Sequence, residues 1–169
     1  MQLFPERRVI RRELDPANIS STTIHDLHRY WCSKHIDGQL PPRSALDPLE
    51  FRHLLPNILL GSIEYDPLRV FYRLVGTRIV EFRGELTGHY LDAIPWFEPE
   101  TRLSIQKAYE LVIQLRRPTF TETEIRSRNG TPHRIYTGLW PLANVPQGPV
   151  DMFIATEDYG SLERHDLGI

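Results

Sequence analysis

Residues 69–91, RVFYRLVGTRIVEFRGELTGHYL, contain a strand that passes directly into a helix. Side chains of alternating character over 70–75 indicate a short strand. Gly76 interrupts this strand, Thr77 begins a short helix, and a glycine-bounded turn occupies 84–88. The pattern predicts a joint between a β-sheet and the helical layer that covers one of its faces.

Composition places the chain among ordinary globular proteins. Its 169 residues are 40% hydrophobic and 25% charged, with a formal net charge of −2, so one domain with a single sizeable core is expected. Such a small net charge provides no strong field to attract nucleic acid or an anionic membrane. Only Arg7, Arg8, Arg11 and Arg12 favour nucleic-acid binding, and because a short basic run near a terminus is usually solvated, we expect no nucleic-acid partner.

The sequence also limits the compartment. Cys32 is the single cysteine, so the chain cannot form an internal disulfide. The first residues, MQLFPERRVIRR, are not followed by the apolar segment of a secretory signal. No apolar run approaches the roughly 20 residues that a membrane-spanning helix needs. These features predict a cytoplasmic protein without a membrane segment.

Upstream of the opening stretch, the first periodic element is a helix. Ile24, Leu27 and Trp31 recur at helical spacing between Ser21 and His35, which predicts an amphipathic helix with an apolar stripe. A connector with several prolines follows it. The chain is thus divided into a flexible leader, the helix with its connector, a core and a C-terminal tail, at 1–20, 21–56, 57–158 and 159–169.

Downstream, the pattern predicts mainly strands. Asp66-Pro67 provides a turn between the first two strands, and Asn129-Gly130 is a strong hairpin signal between the third and the fourth. A helix that begins near Pro99 and stops before Pro118 lies between the two groups of strands. The predicted strands are 57–65, 70–75, 119–128, 133–142 and 150–157, and the long helix is 99–117.

This order of elements, together with two short motifs, resembles a PAS domain. The motifs are YRLVGT at 72–77 and LTG at 86–88, and they are similar to those of a bacterial stand-alone PAS-like subfamily; the resemblance extends over about 22–157. It implies an α+β fold with a five-stranded antiparallel sheet in the order 2-1-5-4-3, helices on one face and an N-terminal amphipathic helix outside the core. It also implies a sensory or signalling function.

The resemblance implies a homodimer, because the outer helix of PAS domains commonly packs against a second copy. Ile24, Leu27 and Trp31 are therefore the predicted interface, since an uncovered apolar stripe usually marks a contact. The alternative is that this stripe packs on its own domain.

A ligand pocket is predicted between the curled sheet and the helix at 99–117. Alternation indicates which residues face inward, and the Tyr109 hydroxyl is expected to lie beside a ligand. The alternative is that these side chains simply fill the core. The predicted ligand-binding residues are Leu74, Trp96, Tyr109, Ile125, Ile135, Leu139 and Ile154.

No metal or cofactor is predicted. His25, His28, Cys32 and His35 share one side of the N-terminal helix, but ligands on a single helix cannot close a tetrahedron around a small ion, which favours a role in amphipathic packing. Haem bound through His89 is the alternative that PAS domains suggest. Light-driven flavin sensing requires a reactive cysteine near that histidine, and Cys32 lies elsewhere.

The sequence favours a protein that is not an enzyme. Cys32 with His28 or His35 is the one nucleophile–base arrangement, and side chains at that spacing on a helix diverge without a cleft or oxyanion donors. Glu122 and Glu124 are expected on the solvated face of a strand. An enzyme within the same shell would need polar residues converging in the pocket, and the sequence indicates too few acids or histidines there.

The predicted function is therefore a non-catalytic PAS-type domain that binds a small ligand, a signalling protein partner, or both, and signals through dimer or partner contacts. The alternative is an interaction adaptor with a filled core and no ligand.

Overall fold

The computed structural model describes residues 12–168. Six antiparallel strands form one sheet in the order β1-β4-β5-β6-β2-β3. Without the two-residue β1, the order of the five longer strands is 2-1-5-4-3, as the resemblance implies. The strands are β1 (Arg12–Glu13), β2 (Ile58–Glu64), β3 (Arg69–Val75), β4 (Thr119–Arg126), β5 (Pro132–Leu142) and β6 (Met152–Asp158).

The two longer helices begin at the signals that the sequence provides. Ser21 caps the first helix, where its hydroxyl accepts a hydrogen bond from the Ile24 amide at 3.1 Å. The longest helix starts at Pro99 and ends where Arg116 turns left-handed, with φ 51°. The helices are α1 (Thr22–Ser33), α2 (Thr77–Arg83), α3 (Pro99–Leu115) and α4 (Arg164–Leu167), with single 3-10 segments at Pro16–Asn18, Arg43–Ala45, Arg52–Asn57 and Leu91–Ala93. No helix within residues 12–168 combines the length and apolarity needed to cross a bilayer.

The sheet is covered on both faces. Side chains from α2 and α3 pack on one face, in a core that includes Phe82, Val112 and Phe153. Helix α1 lies on the opposite face, in a second core centred on Trp140 and Ile154. Because both faces are covered, all but the last residue of β6 are buried, as expected for a central strand between two layers.

The apolar stripe of α1 is covered by this second core. Ile24 and Leu27 are 0% exposed and Trp31 is 5% exposed. The indole Nε1 of Trp31 donates a hydrogen bond to the Pro141 carbonyl of β5 at 3.0 Å. The prediction that these residues form a dimer interface is thus corrected, because the chain's own sheet covers the apolar stripe. A second copy of the chain could contact the stripe only if α1 left the sheet.

Parts of the predicted leader and tail also pack on the sheet. Strand β1 pairs with β4, and Ile19 is buried in the second core. After β6, Tyr159, Leu162 and Leu167 are buried in the first core. Arg7, Arg8 and Arg11 of the basic run lie outside the described residues.

A hydrogen bond between two rings attaches α1 to the sheet. Trp140 of β5 is 0% exposed, and its Nε1 donates to the Nδ1 of His28 at 3.1 Å. An acceptor nitrogen must be deprotonated, so this bond requires neutral His28. Burial, followed by the charges of His25 and His35, lowers the pKa of His28 below its usual value of 6.5. The histidine is therefore a structural acceptor for the buried indole.

The His28→Leu substitution should remove this acceptor and leave the buried indole N–H unpaired. We expect the free energy of unfolding to fall by about 1–3 kcal/mol above pH 6.5, measured by urea denaturation. The control is His53→Leu, because the His53 side chain is 60% exposed.

The same histidine should make stability depend on pH. Because its folded-state pKa is lowered, its contribution is complete above pH 6.5 and is lost as the pH falls from there through the folded-state value. Urea denaturation at several pH values should show this loss in the wild type and a smaller loss in His28→Leu. Equal pH dependence in the two proteins would contradict this role for His28.

Candidate functional site

A cavity of about 80 Å³ lies between α3 and the face of the sheet that α3 covers. Ile105 and Ala108 of α3 and Thr121 and Thr123 of β4 are half-buried cavity residues, whereas Tyr72 of β3 is buried. The residues from α3 and β4 are therefore the more exposed part of the cavity wall. The volume of the cavity suits a few water molecules or a small organic molecule.

One part of the cavity wall is apolar, and another part carries hydroxyl groups. Leu59, Leu86 and Phe97 belong to the apolar wall. The hydroxyl wall consists of threonines on neighbouring strands, with Thr121 directly opposite Thr137. Alternate residues of a strand point to one face, so the threonines of β4 share the cavity side while Phe120 packs in the opposite core. The cavity threonines are Thr119, Thr121, Thr123 and Thr137.

An ion pair lies at the wall of this cavity. The Arg83 guanidinium donates to both carboxylate oxygens of Glu157, from Nε to Oε2 and from Nη2 to Oε1, each at 3.0 Å. The two side chains are only 15% and 10% exposed. The Tyr159 hydroxyl donates a further hydrogen bond to Glu157. Burial by itself would lower the pKa of Arg83, but the Glu157 charge and the further interactions with Glu157 and Tyr159 together outweigh it, so the net shift is upward.

The fold positions both partners of this pair at the ends of elements. Arg83 is the last residue of α2, and its carbonyl accepts a hydrogen bond from the Trp96 Nε1 at 2.8 Å. Gly84 ends the helix with φ 82°, and a Cβ there would lie 3.0 Å from the Trp96 Nε1. Because α2 follows β3 directly and only β2 separates β3 from β6 in the sheet, Glu157 of β6 lies within reach of Arg83.

Two tyrosines complete the polar part of the cavity. Tyr72 of β3 and Tyr109 of α3 are buried, and their hydroxyls are hydrogen-bonded to each other. Burial is the main cause that raises the pKa of Tyr72 to about 12, and it raises the pKa of Tyr109 well above 10. Both phenols therefore remain protonated and uncharged near neutral pH.

The structure brings two of the seven predicted ligand residues to the cavity wall. Tyr109 and Leu139 line the cavity. Ile125 and Ile135 are buried in the same core but do not line the cavity, and Trp96, in the segment before α3, packs against that core.

Leu74 and Ile154 were wrongly predicted to face inward. A bulge in β3 pairs Leu60 with Leu74 but Gly61 with Tyr72, which shifts the alternation and leaves Leu74 40% exposed. Ile154 lies in the second core, beneath α1. Both faces of its strand are buried, so hydrophobicity carries no signal for the direction of any one side chain.

Sequence reasoning found Tyr109 but missed the threonines and the ion pair of the cavity. The threonines of β4 could have been found, because placing Glu122 and Glu124 on the wet face directs the alternate residues inward. Arg83 and Glu157 are 74 positions apart, and nothing in either local sequence indicates that they meet.

The histidines considered as metal or haem ligands form hydrogen bonds with other groups of the chain. His25 donates to the Ile19 carbonyl at 2.7 Å, and His35 donates to the Trp31 carbonyl at 3.1 Å. The Cys32 sulfur lies 3.7 Å from the Nε2 of His28. His89 donates to the Thr87 carbonyl and is not part of the cavity wall. Within the described part of the chain, no group of three or more histidine, cysteine or acidic residues is placed to hold a metal ion.

Removal of one partner of the buried ion pair should be strongly destabilising. Arg83→Met leaves the Glu157 carboxylate without a countercharge, so we expect the free energy of unfolding to fall by about 3–5 kcal/mol in urea denaturation. In the double variant Arg83→Met/Glu157→Met both charges of the pair are removed, and the loss should be smaller. The control is Arg134→Met, whose ion pair with Glu122 is on the surface and should be nearly neutral. A loss in Arg83→Met no larger than in the control would contradict this account.

Comparison with known proteins identifies the family. A family model described as PAS domain matches residues 11–154, which is most of the chain. A comparison with curated proteins found no significant match. PAS domains are generally non-catalytic sensory and signalling domains, and their strand order is the one seen in this sheet. The chain belongs to the PAS domain family.

Proposed function

We propose that this PAS domain is a sensor that binds a small molecule in the cavity between α3 and the sheet and passes on its presence through protein contacts. The observation that supports the proposal is a half-enclosed cavity with an apolar wall and a hydroxyl-bearing wall. Binding sites for small molecules commonly combine apolar burial with a few placed polar groups that fix orientation.

The cavity is better suited to binding than to catalysis. Its acid and its strong cation, Glu157 and Arg83, are bonded to each other, so neither is poised as a general base or as an electrophile. No histidine or cysteine among residues 12–168 lines it. These features support a sensory function without a reaction of its own.

We also propose that the signal leaves by contact with a protein partner or a second copy of the chain. Helix α2, which carries the cavity residue Arg83, also contacts the C-terminal segment. Arg78 of this helix donates a hydrogen bond to the Leu162 carbonyl and forms an ion pair with Glu163. Since the stripe of α1 is buried, the contact would use a surface other than Ile24, Leu27 and Trp31.

A thermal-shift screen of small metabolites tests the binding function. A compound present at about 100 times its Kd should stabilise the fold by about 2.7 kcal/mol and raise Tm by roughly 5–10 °C. Ala108→Leu should abolish the shift because the larger side chain fills the cavity. Lys107→Leu is the matched control on the neighbouring, exposed position of α3 and should keep the shift.

An adaptor without a ligand predicts a different result. In that case no compound stabilises the wild type, and Ala108→Leu unfolds at a similar or higher temperature because it only fills space. A stabilising compound that acts equally on Ala108→Leu would place binding elsewhere and contradict the proposed site.

A further inference from the structure

The charges at the cavity wall already balance each other. The bidentate bonds at 3.0 Å use one edge of the Arg83 guanidinium and both oxygens of the Glu157 carboxylate. Tyr159 occupies a further acceptor position of the same carboxylate. One positive and one negative group in direct contact leave the wall with no net charge to offer a ligand.

The remaining polar groups of the wall are hydroxyls. Four threonines and two tyrosines line the cavity. A hydroxyl can donate and accept a hydrogen bond, and it carries no charge. The tyrosines also keep their protons near neutral pH, since burial raises the pKa of both. Such a surface complements a ligand group that likewise donates and accepts, as amides and alcohols do.

We propose that the cavity selects uncharged small molecules with an amide or alcohol group and rejects carboxylates of the same shape. The inference rests on the proposed binding function and narrows its ligand class. The apolar wall, which includes Leu59, Leu86 and Phe97, receives the ligand's hydrocarbon part, and the threonine row of β4 and β5 receives the polar group.

A carboxylate is disfavoured by the same geometry. If it entered without disturbing the ion pair, it would lose its hydration with no free cation to replace it. If it took Arg83 for itself, it would leave Glu157 buried without its countercharge. Both routes bury one uncompensated negative charge.

The selection can be tested with isosteric probes. Isobutyramide and isobutyrate have the same shape and differ in charge, and both are close to the cavity in size. Each is titrated into isotope-labelled protein, and the backbone amide signals of residues 119–123 and 137–139 are followed by NMR. For the wild type we expect saturable shifts with isobutyramide and at least tenfold weaker binding of isobutyrate.

The Glu157→Gln variant should remove this preference. It leaves Arg83 without its carboxylate partner, so isobutyrate is expected to bind at least tenfold more tightly than to the wild type. If the variant does not fold, Thr121→Val tests the hydroxyl wall: isobutyramide should bind roughly two- to tenfold more weakly. Thr131→Val, on an exposed turn, is the matched control and should bind as the wild type does.

The outcomes separate this inference from the proposed function. Tighter binding of isobutyrate than of isobutyramide to the wild type overturns the selection for uncharged ligands and leaves the cavity as a binding site. If neither probe shifts the cavity signals in the wild type or in Glu157→Gln, the cavity does not bind small molecules and the proposed function fails as well.

Discussion

The buried ion pair between Arg83 and Glu157 connects the two parts of the fold that enclose the cavity. It joins the last residue of α2 to the penultimate residue of β6, so the helical layer and the central strand have one fixed relative position. Trp96 holds the carbonyl of the same arginine, and Tyr159 holds the same carboxylate. A single pair of charges therefore helps to position both the end of α2 and the start of the C-terminal segment.

The position of this pair has a consequence for recognition as well as for stability. A charge buried in a protein core needs a partner close by, and here each charge is the partner of the other. The cavity next to them is left with hydroxyls and hydrocarbon, although it contains an arginine and a glutamate. A ligand therefore encounters a polar but electrically neutral surface, and this is the physical basis of the proposed selection.

In the second core, residues of α1 that suggest a function by their sequence pattern have a structural role. The histidines of α1 suggest a metal site by their spacing, yet His28 accepts the indole N–H of Trp140 across 112 positions of sequence. Trp31, predicted as an interface residue, donates its own indole N–H to the Pro141 carbonyl. Helix α1 thus closes the second face of the sheet, which would otherwise expose a row of large apolar side chains.

The local pattern was sufficient for the order and type of the main elements. Strand alternation, the helical spacing of the α1 stripe, Pro99 at the start of α3 and the Asn129-Gly130 turn are short-range effects, and they predicted the five longer strands and the main helices. The side-chain directions were less predictable. Alternation identifies a buried face only when the other face is wet, so it failed for Ile154 in a strand buried on both sides, and it failed for Leu74 because a bulge shifts the register by one residue.

The sequence by itself determined the scaffold. The PAS family was recognised from the motifs at 72–77 and 86–88 and from the order of strands and helices, because local sequence sets both the motifs and the type of each element. Only the tertiary structure decided which groups line the cavity and that the apolar stripe of α1 is buried against the sheet. Arg83 meets Glu157, and Trp140 meets His28, through packing between segments 74 and 112 residues apart. The energy of these contacts comes from burial and pairing of groups that are remote in sequence, so no local pattern contains it.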